Sequence, residues 1–445
     1  MGINKVDQKS IPYSILYFFV KIWHHVFFYK KVEVSNLDRV PKEGALIFTP
    51  NHQNALMDAL ALLFAVDRPL VFLARADMFR TKIIAEALYF LRILPVFRPR
   101  DGHGEVKKKQ DTFDKTTEVL QKNYGLGIFP EGNHGDQHTL RSLKKGFARI
   151  AYQTEEVNDY SMDIKIIPVG ILYTNYQNCQ TTVSVNYGHP FSLSPYYEDY
   201  KTNPAIAYNK ASIALNKELK KYMVHIDLDE YYETIDFLQT AYPEQIIGKD
   251  YKNFNNRILS SRKAIEILKD YQENNADNFE ELHKDTEQFL AKTKKLIYIQ
   301  KLQLSKWKWS CLIIQSLLFI LLSPILLVSH LVTLLPVGID FFATSKIKDP
   351  QFQSSIKFGV SLFVFPLFFF IELLIFNLVY EYPWYYFLIL YSVSVIIITQ
   401  TASWLRHFYA RFKLFLFWAF HSKQFKELLS LHKKIESQIL SFSKK

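Results

Sequence analysis

Cysteine is nearly absent: Cys179 and Cys311 are the only two in 445 residues. No disulfide framework can be built from them, which fits a reducing compartment. A cleavable leader is not expected either. The apolar stretch 11–29 is interrupted by Lys21, His24 and His25 and has no small-residue cleavage site. No nucleic-acid-binding motif accompanies the net charge of +11, so the excess positive charge is expected to face anionic lipid head groups and acidic small molecules rather than DNA.

What the chain has in excess is apolar surface. Its 49% hydrophobic and 16% aromatic content exceed what a soluble enzyme needs, and most of the surplus lies beyond residue 310, which predicts a membrane-embedded C-terminal region. Segments 311–336, 358–380 and 384–404 are each long enough, at about 1.5 Å per residue, to cross a hydrocarbon core of about 30 Å. Glu381-Tyr382-Pro383 is too short for anything but a hairpin tip and carries no Lys or Arg. Basic residues instead mark the other flanks: Lys301, Lys306 and Lys308 before the first segment, Lys346, Lys348 and Lys357 around the connector, and nine cations against two acids from Arg406 onward. Three simple crossings would put the connector and tail opposite the first flank. A break at Ser323-Pro324, making the first segment re-entrant, keeps every basic flank on the cytoplasmic side. The expectation is one re-entrant hairpin followed by one spanning hairpin, with three crossings as the alternative.

At the other end, residues 1–35 are expected to form an interfacial helix, with Leu16, Phe19, Val20, Trp23, Val26 and Phe27 on one side and Lys21 and His25 opposite. An ordinary core helix is the competing reading. From 36 to 240, short apolar runs alternate with amphipathic stretches such as 82–91, 106–120 and 143–153, the pattern of an α/β domain. Residues 204–224 read as one more helix, and 227–242 have no clear assignment. A solvated helical insertion is expected over 241–306, membrane hairpins over 307–404 and a basic amphipathic tail over 405–445.

The chemistry concentrates at the ends of the apolar runs. Run 44–49 is followed by Asn51-His52-Gln53-Asn54-Ala55-Leu56-Met57-Asp58, run 93–97 by Arg98 and Arg100, and run 125–129 by Pro130-Glu131-Gly132-Asn133-His134-Gly135. In alternating strand and helix folds, such positions converge in one crevice beyond the carboxyl ends of the strands. At about 100° per residue, positions six apart do not share a helix face, so His52 is expected in the turn before a helix that holds Asp58.

Taken together with Ile167-Pro168-Val169-Gly170, these blocks resemble in order the four motifs of the glycerolipid acyltransferases, the glycerol-3-phosphate and lysophosphatidate acyltransferase superfamily. The resemblance covers roughly residues 40 to 190. It departs from the family in two places: five residues rather than four separate His52 from Asp58, and Phe129-Pro130-Glu131-Gly132-Asn133-His134-Gly135 lacks the arginine that usually follows the glycine. Phosphate contact would then fall on Arg98, Arg100 or Lys144 and Lys145.

The resemblance implies acyl transfer from an acyl-CoA or acyl-carrier-protein thioester to a hydroxyl of glycerol 3-phosphate, with lysophosphatidate or dihydroxyacetone phosphate as alternative acceptors. His52 suits the general base and Asp58 its orienting partner. Asn51, Arg98, Arg100, Glu131, Gly132 and Lys145 are the candidate substrate-binding residues. Glu131 either holds a glycerol hydroxyl or locks an arginine and its loop. Amides near Asn54 are candidate oxyanion donors, and helices over 59–66 and 83–91 candidate walls for an acyl chain. Neither Cys179 nor a serine stands beside His52 in the motif, so direct transfer without a covalent acyl-enzyme is expected, with no cofactor or metal. Lys107, Lys108 and Lys109 either dock an acidic carrier protein or form a solvated helix face. One rival reading takes Glu131, His134, Asp136 and His138 as ligands of a hydrolytic metal site. Another is a catalytically dead membrane scaffold. The expected location is an integral membrane protein, its α/β domain on the cytoplasmic face.

Overall fold

The computed structural model describes residues 2–8, 10–97, 106–296 and 309–443. The chain packs as two units. One comprises Met1–Trp23, Val32–Tyr176 and Val183–His225, the other His24–Lys31, Gln177–Thr182 and Ile226–Lys445.

The first unit is α/β. It runs α1 (Ile11–Ile22), β1 (Lys31–Ser35), β2 (Leu46–Pro50), α2 (Ala55–Ala65), β3 (Leu70–Arg75), α3 (Lys82–Phe90) and β4 (Ile93–Val96). It continues with α4 (Val106–Gln121), β5 (Gly125–Gly127), α5 (Gly146–Val157), β6 (Lys165–Tyr173), β7 (Thr182–Tyr187), β8 (Phe191–Ser192), α6 (Tyr197–Thr202) and α7 (Pro204–Lys220). The sheet order is β1-β7-β6-β2-β5-β3-β4, with β8 beside β6. β6, β2, β5, β3 and β4 are parallel, and β7 and β8 run antiparallel to β6. Every residue of β2, β5 and β7 is buried, and in the parallel strand β2 the burial on both faces matches its apolar run Leu46-Ile47-Phe48.

Ile47, Val71, Leu94, Leu126 and Ile166 of the sheet pack with Phe147 and Ala151 of α5 and Leu215 and Leu219 of α7. Asn203 caps α7 by accepting from the Ala205 N–H at 3.1 Å, and Pro204 opens it. The helix then buries Ala207, Ala211, Leu215 and Leu219 at four-residue spacing. At Gly170 of β6, a Cβ would stand 2.0 Å from the Tyr222 carbonyl oxygen, so only glycine lets the segment after α7 lie against the sheet.

α1 forms as expected but turns a different stripe outward. Ile11, Ile15, Phe18, Phe19 and Ile22 are exposed, whereas Leu16 and Val20 are half-buried and Trp23 is buried. Tyr13 against Phe90 and Tyr17 against Phe64 fix that rotation, and an apolar stripe for an interface survives on Ile11, Ile15 and Phe18.

The second unit begins its helical part at Ile226, earlier than the expected boundary at 240. Residues 227–242 hold α8 (Tyr232–Ala241), followed by α9 (Pro243–Ile247), α10 (Arg257–Asn274) and α11 (Ala276–Thr293). The apolar helices come next: α12 (Trp309–Val332), α13 (Leu334–Ser345), α14 (Pro350–Val379) and α15 (Trp384–Phe420), and the chain ends with α16 (Ser422–Ser443). Among the described residues, three helices, Ser310–Val332, Pro350–Val379 and Trp384–Phe420, are long and apolar enough to cross a membrane.

The break expected at Ser323-Pro324 is absent, since α12 runs through Pro324. Proline at 324 removes the N–H that would bond the Ile320 carbonyl, and the Ser323 hydroxyl donates to that same carbonyl at 2.7 Å. The helix stops instead at Thr333, whose hydroxyl bonds the Ser329 carbonyl. α12 then packs along α15 through Phe319 on Trp404 and Phe408, while α13 packs on α14. α14 and α15 form the hairpin expected from Glu381-Tyr382-Pro383, tied by the Tyr391 hydroxyl donating to the Phe365 carbonyl and by Phe369 on Phe387.

The tail is a docked helix. α16 buries Phe425, Leu428, His432, Ile435 and Ile439 against the α8–α11 helices, with Tyr271 stacked on Phe442 and Lys434 paired with Asp285 and Glu281. His432 is bonded to the Tyr242 hydroxyl. Burial holds its imidazole below the ordinary histidine value, with Glu436 opposing that shift. The undocked helix therefore binds a proton below about pH 6.5 that the docked one refuses, and docking weakens as pH falls from there. After correction for intrinsic rates, hydrogen-exchange protection of α16 should fall by up to about tenfold per pH unit below that point. His432→Gln should abolish the dependence, and equal protection at neutral and mildly acidic pH would refute it.

Candidate active site

Three adjacent parallel strands, β5, β2 and β6, end side by side, and their carboxyl ends and the turns beyond them build the site. After β2 the chain makes the expected turn, and His52 lies in it ahead of α2. Asp58, in the first turn of α2 and fully buried, reaches back to it. Its Oδ2 stands 2.7 Å from His52 Nδ1 and accepts the N–H groups of Gln53 at 2.8 Å and Asn54 at 2.7 Å. Its Oδ1 accepts from the Tyr173 hydroxyl, at the end of β6, at 2.7 Å. A carboxylate gathering these donors is an acceptor towards the imidazole as well, so Nδ1 carries the proton and Nε2 keeps its lone pair. Ala55 adopts φ +38° at the start of α2, a left-handed conformation that costs a side-chain-bearing residue about 1–3 kcal/mol.

The imidazole is held from the β5 side too. Phe129 stacks on it with centroids 4.2 Å apart, and His134 meets it edge-on at 5.5 Å. Glu131 is buried, and its Oε1 accepts the His52 N–H at 2.8 Å. Its Oε2 accepts from Arg141 Nε at 2.7 Å and from the Arg141 N–H at 3.3 Å. Arg141 also donates to the His52 carbonyl at 3.1 Å and to the Asn133 carbonyl. The loop is further fastened where His225 Nδ1 accepts the Leu140 N–H at 3.0 Å. Gly132 has φ +71°, so the turn itself demands glycine.

Of the residues picked out in the sequence, His52, Asp58, Asn51, Glu131 and Gly132 come together here. Asn51 is buried with both ends of its carboxamide engaged: Nδ2 donates to the Ile171 carbonyl at 3.0 Å, and Oδ1 accepts the Ile171 N–H at 2.6 Å. It braces β2 against β6. Lys144 and Lys145 are exposed just before α5. Arg98 and Arg100 lie outside the described residues, as do the side chains of Lys107 and Lys108. β4, which precedes Arg98, is three strands from β2, about 14 Å at the usual strand spacing. Of the amides near Asn54, those of Gln53 and Asn54 donate to Asp58 and that of His52 to Glu131.

Both Glu131 oxygens are likewise spent on His52 and Arg141, and among the described residues no group of three or more His, Cys, Asp or Glu side chains is arranged to hold a metal ion. A cavity of about 240 Å³ opens in the same unit, lined by Ile3, Phe79, Ala85, Tyr89, Pro95 and Phe97, with Ala76, Asp111 and Thr112. Ala85 and Tyr89 of α3 line it, and no residue of α2 does.

Sequence reading missed Arg141 and Tyr173. Glu131 on a loop that ends in cations was a signal for the first. Tyr173 sits at the carboxyl end of an apolar run, the same position that drew attention to His52.

The arrangement is that of a parallel α/β enzyme with a histidine and buried carboxylate at its strand ends. Residues 31–172 match the Acyltransferase family model, and that match, with the relatives that follow, supports the glycerolipid acyltransferase superfamily. A chloroplastic 1-acyl-sn-glycerol-3-phosphate acyltransferase of Arabidopsis thaliana is 25% identical over 36% of this chain and 41% of its own length. The 1-acyl-sn-glycerol-3-phosphate acyltransferase of Borreliella burgdorferi is 26% identical over 33% and 52%. Glycerol-3-phosphate O-acyltransferase 2 of Saccharomyces cerevisiae is 29% identical over 24% and 14%. The chain thus spans about half or less of each of these relatives. The crystal structure of the 1-acyl-sn-glycerophosphate acyltransferase PlsC from Thermotoga maritima aligns with 47% of this chain and 78% of its own, at a TM-score of 0.33 and 18% identity.

Arg141→Ala would leave the Glu131 carboxylate buried without its cation, its only donors the backbone N–H groups of His52 and residue 141. Because the arginine side chain is about a third exposed, the expected loss is about 2 kcal/mol, below the range for a fully buried pair. Thermal unfolding of the α/β unit reads it, and an unchanged midpoint would mean that Glu131 does not depend on Arg141.

Proposed function

We propose that this protein transfers a fatty acyl group from an acyl-CoA or acyl-carrier-protein thioester to a hydroxyl of glycerol 3-phosphate. The observation that carries the reading is the His52–Asp58 pair, with Nδ1 facing the carboxylate at 2.7 Å and Nε2 left as the basic nitrogen. Nε2 takes the proton of the acceptor hydroxyl as its oxygen attacks the thioester carbonyl. Asp58 stabilises the imidazolium so formed. When the tetrahedral intermediate collapses, the C–S bond breaks and the departing thiolate takes the proton from Nε2, which restores the base. The carboxylates of the site are already engaged with their own donors, so acceptor phosphate is assigned to cations: Arg98 and Arg100, with Lys145 at the start of α5. Asn51, Glu131 and Gly132 act by shaping the turn and loop around His52.

A second acceptor, lysophosphatidate, is favoured by the names of the plant and Borreliella relatives. Incorporation of labelled glycerol 3-phosphate and, separately, labelled lysophosphatidate by the purified protein, with each donor, separates the two. His52→Ala and Asp58→Asn should each lower turnover by at least about 10²-fold. Activity on lysophosphatidate alone would move the acceptor and keep the mechanism. Silence with both acceptors and both donors would overturn the reading.

We further propose that the enzyme is an integral membrane protein with its α/β unit on the cytoplasmic face. In this reading the C-terminal half of α12 enters and α13 returns, turning at Thr333, and α14 and α15 cross as a hairpin. Tyr380, Tyr382, Trp384, Tyr385 and Tyr386 cluster at its tip, where aromatic side chains suit the far interface. In sealed vesicles of known orientation, Lys348→Cys should react with an impermeant maleimide only from the cytoplasmic side. Labelling only from the outside would refute this topology.

A further inference from the structure

Lys357 of α14 and Arg406 of α15 are cations in two helices that are long and apolar enough to cross a membrane. They stand 25 residues before and 24 residues after Tyr382 at the hairpin tip. At about 1.5 Å per residue, both are about 37 Å from the tip, just past a hydrocarbon core of about 30 Å. A cation at that level can extend into water. These two instead donate to main-chain carbonyls of one short segment. Lys357 Nζ bonds the Gln177 carbonyl at 2.9 Å, and Arg406 Nη2 bonds those of Cys179 at 2.7 Å and Gln180 at 3.4 Å.

The segment is gripped from other directions as well. Gln180 is buried with φ +52°, its N–H donating to the Phe28 carbonyl at 2.5 Å and its Nε2 to that of Phe27 at 2.8 Å. The Lys30 N–H donates to the Thr181 carbonyl at 2.9 Å. Residues 177–181 are thereby held as part of the unit that contains the membrane helices.

The residues immediately before them belong to the active site. Tyr173 donates to Asp58, and the Tyr176 carbonyl accepts from Asn54 Nδ2 at 3.2 Å. One peptide link separates the carbonyl that fixes Asn54 from the carbonyl that Lys357 fixes. Four residues of chain, at most about 14 Å of reach, separate the Asp58 contact from the clamp. We infer that Lys357 and Arg406 are positioning residues for His52 and Asp58. By holding residues 177–180 they fix the end of β6 from which Tyr173 and Tyr176 orient the first turn of α2, and they make turnover depend on an assembled α14/α15 hairpin.

The inference rests on the acyltransferase reading for its kinetic arm alone, so a second readout is independent of turnover. With the full-length protein in phospholipid vesicles, kcat and KM for labelled acceptor are measured for Lys357→Met, Arg406→Met and Lys357→Arg. Hydrogen exchange is followed in parallel over residues 51–57, which include the two amides donated to Asp58. Each methionine variant should lower kcat about tenfold with KM within about twofold, a loss confined to the transition state. Exchange at Gln53 and Asn54 should rise about tenfold, and Lys357→Arg should restore both. Unchanged kcat and unchanged exchange in both methionine variants would overturn the inference. So would a loss of helical content with parallel changes in kcat and KM that Lys357→Arg fails to rescue. If the wild type turns over neither acceptor, the functional reading fails, and exchange over 51–57 still decides the positioning role.

Discussion

The buried carboxylate of Asp58 is the constraint on which the site depends. A charge with no access to water is tolerated only when its oxygens are filled with donors, and Asp58 collects four: an imidazole, two amides and a phenol. Those donors come from the turn after β2 and the end of β6, so satisfying one carboxylate sets the path of the chain at two strand ends. It also explains how His52 and Asp58 can be six residues apart and still meet. The amides of Gln53 and Asn54 wrap round the carboxylate, and the turn they make brings His52 back over the start of α2.

A second tie, Glu131 to Arg141, does for the β5 side what Asp58 does for the other. Glu131 takes the His52 amide with one oxygen and the arginine with the other, and Arg141 returns to the His52 carbonyl. The histidine backbone is thus gripped at both its N–H and its C=O, and the ring is stacked on Phe129. What remains open is Nε2. The arginine that usually follows the glycine of this block is missing from the chain, and the Glu131 carboxylate is neutralised by one ten residues on. Asn51 makes the third brace, through a carboxamide that fits the N–H and C=O of Ile171.

In the apolar part the governing rule is that no backbone group goes unpaired. Ser323 meets it at Pro324 by supplying the proton that proline lacks, which is why α12 does not break there. The cations of the hairpin, Lys357 and Arg406, donate to loop carbonyls, which accept charged donors readily. The C-terminal helix obeys a simpler rule: its apolar face, spaced from Phe425 to Ile439, matches the faces of α8 to α11, and it docks on them.

Much of this was legible in the chain order of residues, for local reasons. Buried parallel strands announce themselves as unbroken apolar runs, a turn must precede a helix when its two functional residues are six apart, and helices such as α7 show their cap, proline and four-residue apolar spacing directly. His52, Asp58 and Glu131 stand at strand ends, and strand ends converge. Partners distant in sequence were not legible. Tyr173 is 115 residues from Asp58, Arg406 is 227 from Cys179, and His432 is 190 from Tyr242. Local sequence determined which elements form and which residues stand at their ends. Tertiary structure alone decided which buried charge meets which donor, because that choice depends on sheet order and helix docking, and no local pattern encodes either.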